Sequence, residues 1–178
     1  MSDTNARTRD LSQGAAPGKY LTFGLGNEVY GLEILKVQEI IGLMRVTRVP
    51  GLPEVIRGVV NLRGKVIPVV DLRRKFGMEV QADTERTCIV VVRVRLEGQD
   101  IIVGLIVDDV REVLAIAENQ LEAVPRFSKD VETGFLLGMA KIAQRVVMLL
   151  DVDQILSSTE LWAVPAAAGG PVPQEQES

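Results

Sequence analysis

Residues 58–76, GVVNLRGKVIPVVDLRRKF, lie without a gap over residues 138–156, GMAKIAQRVVMLLDVDQIL. Gly58 falls on Gly138, Ile67 on Val147, Val69 and Val70 on Leu149 and Leu150, and Asp71 on Asp151, all at an offset of 80 residues. An earlier pair of segments matches at an offset of 73. There Gly31 falls on Gly104 and Leu32 on Leu105, while Val37, Glu39, Ile40 and Ile41 fall on Val110, Glu112, Val113 and Leu114. Shared composition aligns apolar runs with one another, but it does not also align Gly, Asp and Glu between them. The chain therefore reads as one unit used twice, at about 18–82 and 86–157, with RFSKDVETGF as an insertion in the second unit.

Each unit has the same order of short apolar runs and turn signals. KYLTFGLG and EVYGLEI are joined at Gly26-Asn27, a hairpin signal. KVQEIIG and MRVTRVP follow, then VVNLR and KVIPVVDL around a turn, then the short helix LRRKFG with its terminal glycine. About five close-spaced strands per unit predict an all-β fold of small barrels or a sandwich. Aromatic residues make up 4% of a chain that is 47% hydrophobic, so Val, Ile and Leu must fill the core, as a pleated sheet favours. Pro68 cannot donate to a ladder, so its strand is expected at an edge or bulged.

The chain contains no histidine, which removes His-based triads, His metal ligation and a phosphorylated His. Cys88, the single cysteine, sits in the apolar run TCIVVV and reads as a small buried hydrophobe. A net charge of -4 and the absence of a Lys/Arg-rich run argue against an RNA-binding barrel protein. No apolar run has the ~18 residues of a membrane helix. The first residues lack the apolar core of a signal peptide, so a cytoplasmic protein is expected. Residues 1–17 and the Pro- and Gly-rich residues 159–178 are expected to be disordered or flexible.

The polar residues read mainly as architecture. Asn61 and Gly64 suit a hairpin turn that leaves Arg63 exposed, and Arg63 has no counterpart in the second unit's KIAQ. Asp71 and Asp151 each precede a short helix and read as N-caps rather than phosphoacceptors or metal ligands. Asp108-Asp109 reads as a strand-end turn, since a divalent cation needs more oxygen ligands. An enzyme built on Asp71, Asp108 and Asp109 would need those acids to converge in a pocket. Strand alternation places Val37 and Glu39 on one face, with Gln38 and Ile40 on the other. Glu39 wants a cation, and Arg63 is a candidate partner.

The segments YGLEILKVQEI, VIRGVVNLRGKVIPVVDLRRKFG, VGLIVDDVREVL and MLLDVDQIL resemble the bacterial chemotaxis coupling protein family, CheW, over residues 18–158. The resemblance implies two SH3-like five-stranded β-barrel subdomains with short connecting helices, packed around a shared core. It implies a non-catalytic adaptor, without cofactor or metal, that couples the cytoplasmic tips of methyl-accepting chemoreceptors to the histidine kinase CheA. The output would be flagellar chemotaxis or another chemosensory response, such as a pilus-based one. By position, the resemblance assigns receptor contact to Val37, Glu39, Ile40, Gly58, Val59 and Arg63, with Gly58 admitting a close-lying receptor helix. It assigns kinase contact to Val113 and Phe127. It implies no nucleic-acid partner, and a cytoplasmic protein recruited to membrane-bound receptor arrays without inserting in the membrane.

Overall fold

The computed structural model describes residues 14–124 and 134–156; Phe127 and the tail 159–178 lie outside the described residues. The first unit supplies β1 (Gly18–Leu25), β2 (Glu28–Glu33), β3 (Val37–Gly42), β4 (Ile56–Leu62), β5 (Lys65–Asp71) and the one-turn helix α1 (Leu72–Lys75). The second supplies β6 (Cys88–Leu96), β7 (Gln99–Val107), β8 (Asp109–Ile116), β9 (Leu121–Glu122), β10 (Leu136–Ile142) and β11 (Arg145–Leu150). The all-β expectation holds. Within the leading segment, Ala15 packs into a core and the Ala16 carbonyl accepts the Tyr20 hydroxyl at 2.6 Å.

The strands form two sheets, ordered β8-β1-β2-β11-β10-β9 and β3-β6-β7-β5-β4. Sheet membership cuts across the two sequence units. Strands β1 and β2 stand between strands of the second unit, and β6 and β7 stand between strands of the first. The seams between units are parallel pairings, β2 with β11 and β5 with β7. They sit at repeat-equivalent registers, Gly31 opposite Leu149 and Gly104 opposite Val69. Both β-bulges in the paired hairpins also repeat, between Ile56 and Gly58 and between Leu136 and Gly138. The duplication is thus a pseudo-twofold in which each copy lends its first hairpin to the other copy's sheet.

Each sheet curls into a small SH3-like barrel with its own interior. One interior holds Val60, Ile67, Val69, Ile89, Val91 and Ile106. The other holds the repeat counterparts Ala140, Val147 and Leu149 with Tyr20, Val29 and Ile116. Between them lies a larger shared core that includes Leu21, Phe23, Leu32, Val70, Val90, Val92, Leu105 and Leu150. Alternation explains the division: in β6, Ile89 and Val91 face a barrel interior, while Val90 and Val92 face the shared core. Pro68 lies in an inner strand rather than at an edge. Pairing of β5 with β7 begins one residue later, at Val69, so that flank of the strand is locally unpaired where the proline sits.

Acidic residues tie the elements together. Asp71 is 3% exposed. It caps α1 by accepting the Arg73 and Arg74 backbone N–H groups, and it takes a further bond from the Arg57 guanidinium at 2.9 Å. Asp108 accepts the Gly26 N–H at 2.8 Å and Arg73 Nε at 2.8 Å, which fastens the β1–β2 turn to α1. Burial pushes the Asp108 carboxyl up, but the Arg73 guanidinium and the Gly26 N–H outweigh it and hold the group below its usual range.

Two outcomes are expected. A Cβ on Gly104 would lie 2.6 Å from Ile89 and 2.9 Å from Val69, whereas one on Gly31 would lie 3.0 Å from the flexible Leu149 terminus. Urea unfolding should therefore show Gly104→Ala destabilising by about 1–3 kcal/mol and Gly31→Ala by less. Asp108→Asn should cost about 1–3 kcal/mol at pH 7. Because the folded-state value is depressed, the wild-type advantage exists above the ordinary carboxylate range and disappears as pH falls through the folded value. Unfolding titrations of both proteins at pH 7 and pH 3 should show the gap closing at the lower pH.

Candidate functional site

Strand β3 is a free edge of its sheet, and its alternation is broken. Val37 pairs opposite Val92, but Glu39 pairs opposite Val91, so Gln38 is a bulge residue. The expectation that Val37 and Glu39 share a face is therefore corrected. Val37 and Ile40 lie on the side of the shared core, beside Val92 and Val90. Glu39 and Ile41 lie on the side of the barrel interior, beside Val91 and Ile89. The extra residue at the bulge flips every position after it. Ile40 remains 44% exposed at the rim, and Leu35, in the single turn just before β3, is 95% exposed. Leu35 was not singled out from sequence, because neither of its neighbours, Ile34 nor Lys36, marks it as outward-facing.

Arg63 and Glu39 meet as expected. Both guanidinium Nη atoms donate to the two carboxylate oxygens, a bidentate pair. The pair bridges the tip of the β4–β5 hairpin to β3 across the sheet, closing the barrel mouth. The tip is a two-residue turn, Arg63-Gly64, with φ of 53° and 88°, and the Gly64 N–H donates to Asn61 Oδ1 at 2.8 Å. Positive φ at both turn residues matches the twist of a β-hairpin, and Asn61 and Gly64 suit it. Arginine does not suit it, because a Cβ in the left-handed region is strained. A long cation is thus held at a strained, 68% exposed position by its carboxylate partner and its turn.

Gly58 and Val59 are the residues to which the resemblance assigns close contact with a receptor helix. Both are buried. The space above Gly58 is filled from within: a Cβ there would meet the Thr47 carbonyl oxygen at 2.2 Å and Val46 Cγ1 at 2.8 Å. The Thr47 N–H donates to the Val59 carbonyl and the Val59 N–H to the Thr47 carbonyl, so the chain after β3 covers the β4 edge. The close approach allowed by Gly58 is made by Thr47, not by an external helix.

The second unit repeats the layout without the clasp. Strand β8 is also an edge, and Val113, 47% exposed, stands where Ile40 stands, at the rim of the shared core opposite Leu21. Glu112 stands where Glu39 stands, but the turn residue matching Arg63 is Ala143, again at positive φ, 58°. Thr22, fully buried, accepts the Glu112 N–H and donates to its carbonyl, fixing this strand at its bulge.

Chemistry is sparse. Among the described residues, no cluster of His, Cys, Asp or Glu could hold a metal ion. Asp71 and Asp108 are each engaged by arginines, and Asp109 pairs with Arg111. Burial pushes the Cys88 thiol up, away from thiolate reactivity. No described helix is long and apolar enough to cross a membrane. The site consists of an edge strand, apolar rim residues and a fixed arginine.

Comparison with known proteins agrees with the geometry. The CheW-like domain family matches residues 19–160. The chain is 40% identical over 150 residues to "Chemotaxis protein CheW" of Klebsiella aerogenes, covering 84% of this chain and 88% of that one. It is 32% identical over 152 residues to the protein of the same name from Bacillus subtilis, covering 84% and 94% respectively. The crystal structure of scaffolding protein TtCheW from Thermoanaerobacter tengcongensis superposes with a TM-score of 0.71 at 35% identity, covering 82% of this chain and 96% of that one. The chain belongs to the CheW-like family.

Proposed function

We propose that this protein is a non-catalytic adaptor of bacterial chemotaxis that couples methyl-accepting chemoreceptors to the histidine kinase CheA. Family membership and the scaffolding neighbour support the adaptor role. The observation that carries the finer reading is Arg63, held in a strained turn by Glu39 beside an exposed apolar edge. A receptor tip is a helical hairpin, and an apolar helix stripe can lie on Val37 and Ile40 at the rim between the barrels. Arg63 and Glu39 give that contact polar register. Gly58 and Val59 act from beneath, by seating Thr47 and shaping the rim. Val113 and Phe127 serve the kinase side, and Val113 lies on β8, the edge strand pseudo-equivalent to β3. The protein works in the cytoplasm at receptor arrays. Its output is flagellar or, alternatively, pilus-based, and receptor state acts by favouring one bound arrangement of the kinase.

Pull-down with a receptor cytoplasmic fragment and with the CheA regulatory domain should capture both; capture of neither overturns the reading. Arg63→Gly separates contact from folding, because glycine accepts positive φ without strain. Its thermal midpoint should match or exceed that of the wild type, while receptor-fragment affinity falls by roughly fivefold or more. Unchanged affinity would remove Arg63 from the contact.

A further inference from the structure

The internal pseudo-twofold turns one barrel mouth into a template for the other. In the first mouth, β3 presents Glu39, the hairpin tip presents Arg63 at positive φ, and the two pair. In the second, β8 presents Glu112 at the matching bulge, the hairpin tip presents Ala143 at matching φ, and nothing pairs. Among the described residues the Glu112 side chain makes no hydrogen bond or ion pair. The place of the missing arginine is open. A cleft of about 500 Å3 is lined by Thr22, Val29, Glu112, Leu114, Ile142, Ala143, Gln144, Arg145 and Val147. At the wall and the tip the second copy carries the smaller residue, Val147 for Ile67 and Ala143 for Arg63, while Gln144 stands for Gly64 at the rim.

We infer that this second mouth receives an arginine side chain from a partner protein, which completes with Glu112 the clasp that Arg63 makes internally with Glu39. The chemistry is specific. The aliphatic part of an arginine can lie on Val29, Leu114, Ile142 and Val147, while its planar fork meets a carboxylate bidentately. Glu112 is pre-positioned, because Thr22 holds its backbone on both the N–H and the carbonyl side. Arg145 at the same rim carries like charge to the occupant, but its counterpart Lys65 flanks the Arg63–Glu39 pair in the first mouth, so a neighbouring cation is compatible with the clasp. The inference goes beyond the receptor and kinase assignments and holds whichever partner carries the arginine. It rests on the adaptor reading only in requiring that a protein partner exists.

The test uses two blocked dipeptides, acetyl-Leu-Arg-amide and its uncharged isostere acetyl-Leu-citrulline-amide, titrated into the full chain labelled with 15N. The arginine peptide is expected to shift the amide signals of Glu112, Ala143 and Gln144, with the citrulline peptide binding about fivefold more weakly. Glu112→Gln should erase that difference. Ala143→Arg, which supplies the cation internally, should abolish the titration while the remaining spectrum stays folded. Equal shifts from both peptides, shifts confined to other regions, no shifts at all, or an unchanged titration in Ala143→Arg would each overturn the inference. None of these results bears on capture of the receptor fragment or kinase, so the adaptor reading stands or falls separately.

Discussion

Two parallel seams hold this molecule together. Strand β2 pairs with β11, and β5 with β7, each joining the two halves of a duplicated chain. Parallel pairs need long connections, and here they run through residues 34–144 for one seam and 72–98 for the other. The seams require close packing, and the repeat places a glycine at each, Gly31 and Gly104. Because each half lends a hairpin to the other's sheet, neither barrel interior can form from one half alone. The shared core between the barrels draws on both halves as well. The two edge strands β3 and β8 then stand in related places at the rim of that shared core, which fixes where the proposed contact residues lie.

Function follows from where the two copies have diverged. At the hairpin tip, Arg63 in the first copy faces Ala143 in the second. The N-cap aspartate shows the same asymmetry. Asp71 receives cations from Arg57 and Arg74, whose counterparts are Leu137 and Gln154. Asp151 keeps the capping bond from the Asp153 N–H but gains no guanidinium among the described residues, and burial with the neighbouring Asp153 carboxylate pushes it up. The first copy carries a connected ionic network and a clasped mouth, and the second an open one. The proposed coupling of two partners would use two related surfaces of different chemistry.

Much of this was legible in the sequence. The repeat, the chain order of the strands and the N-caps are readable from residue type and spacing, and Arg63 is readable as a candidate partner of Glu39. Three features were not, each for a physical reason. The exchange of hairpins was hidden because both copies offer the same register glycine and the same strand order, so similarity cannot say which copy pairs with which. The Gln38 bulge was hidden because one unpaired residue leaves the apolar pattern of KVQEIIG readable in either phase. The covering of Gly58 by Thr47 was hidden because MRVTRVP reads as a strand, whereas it forms only the isolated Thr47–Val59 bridge, whose partner the pattern does not specify. Glycine at 58 marks a close approach, and within this chain the Thr47 carbonyl makes it.

The interlocking of the halves is tested most directly by dividing the chain. Residues 14–84 and 85–156 can be made as separate fragments and observed by circular dichroism and amide spectra, alone and mixed. Neither fragment should fold alone, and an equimolar mixture should recover the dispersed spectrum of the intact protein. A folded, cooperative spectrum from either fragment by itself would contradict the account.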